Sequence, residues 1–211
     1  MRISEVWIAA PWLLAALTAP AVLALPEAAP ADATHDAAAD LEPTRTLARR
    51  VLSRSDHSGL PFAIVDKKAA TLVVYFGDGR LAGVTPVLLG QTPGDLAPPG
   101  VGDRAQRAAL RPSDRTTPAG RYTAEPGHNL QGEAIVWIDY ENALAIHRLR
   151  PAPPQERRAE RLASPNPSER RISAGCVIVP VAFYETVVAP VLGRSRAIVY
   201  VMAEDRPTLE L

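Results

Sequence analysis

Arg171-Ile-Ser-Ala-Gly-Cys-Val-Ile-Val-Pro180 holds the only cysteine of the 211-residue chain, Cys176. A turn-like Ser-Ala-Gly precedes it and an apolar strand follows. A lone cysteine is most often a small buried hydrophobe. A reactive one needs a base or a positive field to lower its pKa from about 8.5. Upstream, Ala143-Leu-Ala-Ile-His147 is a β-prone run that ends in an imidazole. A base fixed at a strand end can take a thiol proton and later protonate a leaving amine. Gly175 has no side chain, so its N–H and that of Cys176 can turn toward a developing oxyanion.

Outward from this stretch the pattern is that of a mostly β domain. Phe62-Ala-Ile-Val-Asp66 and Thr71-Leu-Val-Val-Tyr-Phe76 are β-rich runs around a turn carrying Lys67 and Lys68. Gly77-Asp-Gly-Arg80 is a turn, and residues 81–90 predict a third strand. Residues 91–117, rich in Pro, Gly, Asp and Arg, predict a long loop. Strands resume at 120–124, 134–139 and 143–147, and Trp137, alternating with Ile135, reads as core. Residues 148–171 form a second long loop with one short helix at 155–163. Val181 to Leu192 predicts a helix with Pro180 in an N1-like place, and 196–202 a closing strand.

Composition narrows the function classes. Lys plus Arg and Asp plus Glu both total 23, and this zero net charge argues against a nucleic-acid binder. Hydrophobic residues at 47% are enough for a core, and the 21 prolines imply substantial loop. Aromatic residues at 5% are too few for a carbohydrate-stacking platform. One cysteine excludes a disulfide framework within the chain and a multi-thiolate metal site. No His/Asp/Glu cluster suggests a metal, so neither metal nor cofactor is expected.

Residues 1–25 predict a secretory signal peptide: Met1-Arg2, an apolar stretch from Val6 to Leu25, and small residues around Ala24. An uncleaved anchor is the alternative, since about 20 apolar residues span a bilayer. On either reading the remainder is exported, and the chain meets a membrane only through this segment. Residues 26–58 read as linker with a short amphipathic helix at 41–52, residues 59–204 as the domain, and 205–211 as a tail. His35 and His57 both read as linker residues.

Taken together, His147, a loop, and Ser173-Ala-Gly-Cys176 resemble the signature of the L,D-transpeptidase (YkuD-type) catalytic domain. Thr117-Pro-Ala-Gly-Arg-Tyr122 resembles the family's Thr-Pro-x-Gly-aromatic turn. Asn129-Leu-Gln-Gly-Glu-Ala-Ile-Val-Trp-Ile-Asp-Tyr140 and the tract from Glu156 to Ser173 resemble a proteobacterial subgroup. The resemblance runs from Phe62 to Met202. It departs from the family at Ile178, where Asn or Arg is common, and in a longer loop between His147 and Ser173.

The resemblance implies a β-sandwich or barrel with one or two helices and long loops. It implies an enzyme of the periplasm or cell envelope that acts on peptidoglycan stem peptides and needs no cofactor. Cys176 would be the nucleophile, His147 the general base and acid, and Gly175 an oxyanion N–H donor. Ser173 would orient the loop or His147. Arg148 and Arg171, which adjoin the motifs, are candidates for substrate carboxylates, and His128 for the cleft wall. The reaction implied is acyl transfer from a tetrapeptide stem, with D-Ala released and a 3→3 crosslink formed. Alternatives are an L,D-carboxypeptidase of the same fold, or a catalytically silent peptidoglycan-binding protein, which Ile178 favours. A papain-like hydrolase fits poorly, because His147 precedes Cys176.

Overall fold

Phe62, Ala63, Ile64 and Val65 are apolar in succession, and they and Asp66 are all buried. A strand of that kind must be covered on both faces. The computed structural model, which describes residues 41–204, supplies both covers. Strands β1 (Phe62–Asp66), β2 (Thr71–Tyr75) and β3 (Leu81–Pro86) form an antiparallel meander. β1 pairs in parallel with β10 (Ala197–Val201), which is antiparallel to β5 (Gly120–His128). Next come β6 (Ala134–Asp139) and β7 (Leu144–Arg148), and β9 (Val177–Val179) lies parallel to β7 at the far end.

The sheet order is therefore β3-β2-β1-β10-β5-β6-β7-β9. Leu88, just beyond β3, exchanges two backbone hydrogen bonds of 2.9 Å with Ile178 of β9. That exchange joins the last strand back to the chain leaving the first, so the fold is mostly β and the sheet is a nearly closed barrel. The expected strand at 81–90 is interrupted there. Pro86 has no N–H for a ladder, and after the seam the chain forms a short β4 (Leu89–Gly90) parallel to β8 (Arg171–Ser173).

On the inner face, Val65, Val74, Ile146, Val177 and Val199 pack with Tyr184, Val188 and Leu192. The last three come from a helical segment that begins as α4 (Val181–Phe183), widens into a π turn (Tyr184–Val188) and ends as α5 (Ala189–Val191). Pro190 accounts for the widening, since it has no N–H to return to Thr186 and its ring displaces that carbonyl. Pro180 caps the segment in an extended conformation and does not occupy its first turn. On the outer face, α1 (Glu42–Ser53) sets Leu47, Ala48 and Val51 against Phe62, Ile64, Ile198 and Tyr200.

Residues 41–58, read from sequence as linker, are thus packed against the barrel. His57 follows suit: it is buried, its Nε2 lies 3.0 Å from the Gly77 carbonyl, and its ring is 5.2 Å from that of Phe62. The expected loop at 91–117 contains α2 (Val101–Gln106) and is clamped by Arg104, which donates to both oxygens of Asp114 at 2.7 and 2.6 Å. The expected helix at 155–163 is shorter, α3 (Arg158–Ala163), because Arg157 adopts a left-handed conformation. Trp137 is only partly buried and meets Tyr140 edge-on at 5.1 Å, outside the core. The signal segment, His35 and the 205–211 tail lie outside the described residues. Among the described residues, no helix is long and apolar enough to cross a membrane.

Candidate active site

The turn before Cys176 is closed by two hydroxyls. Ser173 Oγ accepts from the Gly175 N–H (3.1 Å) and donates to the Cys176 carbonyl (2.6 Å). This is a side-chain-directed turn of the kind serine favours. Thr117 Oγ1 donates to the Gly175 carbonyl (2.7 Å) and accepts from the Gly90 N–H (2.9 Å). Gly175 has φ +133°, and a Cβ there would come within 2.8 Å of the Thr116 carbonyl oxygen. No other residue fits. In a planar trans peptide the C=O and N–H point in opposite directions. Holding the Gly175 carbonyl on Thr117 therefore turns the Cys176 N–H to the other side.

His147 reaches the same place from β7. In the parallel ladder Ile146 is opposite Val177 and His147 opposite Ile178. Continuing that register by one residue sets Cys176 beside Ala145. Ala145, His147, Cys176 and Ile178 then share the outer face, while Ile146, Val177 and Val179 fill the barrel. Diagonal neighbours across adjoining strands are within reach of long side chains. The Cys176 thiol donates weakly to the Ala143 carbonyl at 3.6 Å. Burial pushes the thiol pKa up, against the pull of Arg150 and Arg158.

The His147 Nδ1 lies 2.8 Å from the Arg148 carbonyl. Since a carbonyl only accepts, Nδ1 carries the proton and the lone pair is on Nε2. Burial lowers the imidazole pKa to about 4; Arg150 and Arg158 act in the same direction, the Arg148 carbonyl and Glu133 against it. The pair is thus a neutral thiol and a neutral imidazole at pH 7, an arrangement suited to proton transfer during attack and not to a standing ion pair.

Several residues singled out from sequence have partners of their own. The Gly175 N–H, expected to face an oxyanion, is committed to Ser173, which leaves the Cys176 N–H as the donor the turn orients. Ser173 bonds within its own turn and not to His147. Arg148 pairs with Glu133 (2.6 Å) and Glu185 (3.3 Å). Arg171 donates to Glu204 (2.7 Å) and to the Lys67 carbonyl (3.1 Å). His128 is exposed at the end of β5, opposite Ala134.

The arginines whose charge reaches both Cys176 and His147 are Arg150 and Arg158. They line a cavity of about 370 Å³ together with Leu149, Pro153 and Arg157. Arg150 is paired with Glu133, and Arg158 with Glu156. No sequence signal marked them, since Arg150 lies beyond the end of β7 and Arg158 in α3, where strand alternation does not apply. Ile178, the departure from the family pattern, is buried with Leu88 and with Leu162 of α3, Leu149 and Ile172 flanking. No group of three or more His, Cys, Asp or Glu suited to a metal is found among the described residues.

No protein-family model matches the chain, and no curated protein matches it in sequence. Solved structures are similar to it at low identity. The helical cell shape determining protein Pgp2 from Campylobacter jejuni is 17% identical with a TM-score of 0.45, covering 70% of this chain and 49% of that one. An L,D-transpeptidase from Mycobacterium smegmatis is 16% identical with a TM-score of 0.39, covering 68% and 58%. The catalytic domain of the E. faecium L,D-transpeptidase is 18% identical with a TM-score of 0.37, covering 67% and 95%. The chain spans about half the length of the Pgp2 structure, and the likeness is one of fold.

Proposed function

We propose that the protein is an exported cysteine acyltransferase of the L,D-transpeptidase type, acting on peptidoglycan tetrapeptide stems in the cell envelope. The observation that carries this reading is the register of β7 with β9, which sets His147 diagonally beside Cys176 on one face of the barrel. The substrate class rests on the resemblance of the His147, Ser173-Ala-Gly-Cys176 and Thr117-Pro-Ala-Gly motifs.

In the proposed first step, His147 Nε2 takes the thiol proton as Cys176 Sγ attacks the carbonyl between the diamino acid and the terminal D-Ala. The oxyanion is received by the Cys176 N–H. The C–N bond then breaks, the imidazolium returns its proton to the departing D-Ala amine, and a thioester is left on Cys176. The amine of a neighbouring stem attacks that thioester and gives its proton to His147. The C–S bond breaks, the thiolate recovers the proton from His147, and a 3→3 crosslink results. Water in place of the amine gives a carboxypeptidase by the same steps. Arg150 and Arg158 line the cavity and would exchange their glutamate partners for a stem carboxylate. Ile178, the basis of the silent-binder alternative, packs with Leu88 and Leu162.

The test is incubation with a disaccharide-tetrapeptide, followed by mass spectrometry, with Cys176→Ala as the control. Dimer with loss of D-Ala is the expected product. Tripeptide alone assigns the carboxypeptidase, and no product with no Cys176-dependent adduct would sink the enzymatic reading.

A further inference from the structure

We infer that Thr117 is a positioning residue for the nucleophile: its hydroxyl fixes the Gly175–Cys176 peptide, and buried Lys67 anchors it from behind. This deepens the acyl-transfer reading above and rests on it. The Thr117 hydroxyl acts not on the thiol or the imidazole but through the Gly175 carbonyl, to which it donates at 2.7 Å. The residue is 1% exposed, and its hydroxyl is used on both sides, since the Gly90 N–H donates to it at 2.9 Å. No water competes for such a group, so its orientation is set by these two partners.

The Thr117 carbonyl accepts from Lys67 Nζ at 3.0 Å. Lys67 is itself buried and donates also to the Gly94 carbonyl and to Asp95 Oδ1, both at 2.6 Å, with Glu204 at 3.5 Å. It is one of two lysines among 23 basic residues. An ammonium with three tetrahedral donors fits three oxygens converging on a point, which a planar guanidinium does not. Asp95 also accepts from the Glu204 N–H at 2.8 Å, which ties β10's exit to the same knot. A rigid line thus runs from Lys67 through Thr117 to the peptide whose N–H faces the reacting carbonyl.

Two reactions of Cys176 in the purified full-length chain separate this role from general support. Acylation by p-nitrophenyl acetate passes through an oxyanion before p-nitrophenolate leaves, whereas alkylation by iodoacetamide displaces iodide at the reagent's own saturated carbon and forms none. Thr117→Val is expected to slow acylation at least about tenfold, the scale on which a small misplacement acts, with alkylation unchanged within about twofold. Thr117→Ser, which keeps the hydroxyl, is expected to restore acylation, and Thr117→Ala replaces the valine variant if that one fails to fold. Acylation at the wild-type rate without the hydroxyl overturns the assignment, as does an equal fall in both reactions. A wild-type Cys176 that is alkylated but never acylated overturns the acyl-transfer reading, and this assignment with it.

Discussion

His147 links the chemistry of the site to the acid stability of the chain. Its imidazole titrates near 6.5 when unfolded and is lowered by burial to about 4 in the folded chain. Between those values the unfolded chain binds the extra proton, so stability is lost as pH falls from 6.5 to 4 and is flat with respect to this group above and below. The shift corresponds to about 3 kcal/mol at full extent. Urea titrations of the wild type are expected to show that slope, and His147→Gln to flatten it; an unchanged slope in the variant would place the acid lability elsewhere. Residue identity was legible where chemistry is rare: one cysteine and one strand-end histidine stood out of the sequence. Arg150 and Arg158, which line the neighbouring cavity, did not stand out, because neither adjoins a motif: one lies beyond the end of β7 and the other in α3. Arg171 was equally opaque, since its partner Glu204 lies at the far end of the domain.

The element that distinguishes this barrel is the long segment between β7 and β8. It is held to the barrel at two points, Leu162 of α3 on Ile178 and Leu88 and Arg170 on the Ala69 and Ala70 carbonyls, and is braced within itself by Arg161 on the Glu169 carbonyl. Deleting a buried leucine typically costs 2–5 kcal/mol, and in a three-residue cluster the lower figure applies. Leu162→Ala is therefore expected to open the segment locally by about 2 kcal/mol, roughly 30-fold in the opening equilibrium. Limited trypsin digestion should then cut at Arg157, Arg158 or Arg161 that much faster while the melting temperature barely moves. Unchanged cleavage would mean the arginine contacts alone hold it. The strands bounded by Gly, Pro or Asp turns were readable from pattern, β1, β2, β6 and β10 nearly to the residue. The six residues of α2 were not: a single turn and a half among prolines has no periodicity to read, and its place depends on Gly102 lying where a Cβ would be 1.8 Å from the Glu141 carbonyl oxygen.

At the scale of the molecule, the barrel wall is covered twice, and the second cover is α1. Without it Phe62, Ile64, Val73, Ile198 and Tyr200 lose the apolar side chains that pack on them, a contiguous patch of the sort that drives association. A chain beginning at residue 59 is expected to melt well below one beginning at 41, or to aggregate, in a side-by-side thermal scan; equal melting temperatures would return α1 to the status of linker. The mostly β class followed from short strands and turns, but closure did not. It depends on Leu88 meeting Ile178, two residues past Cys176 and ninety from Leu88 in the chain. That seam has a temporal meaning. Thr117 meets Gly175, Leu88 meets Ile178, and His147 stands on the adjoining strand, so the three stretches converge around Cys176 only when the two edges of the barrel meet. Until then the thiol is an ordinary one, so on the proposed reading the reactivity of Cys176 is latent in the unfolded chain and arrives with the last step of folding.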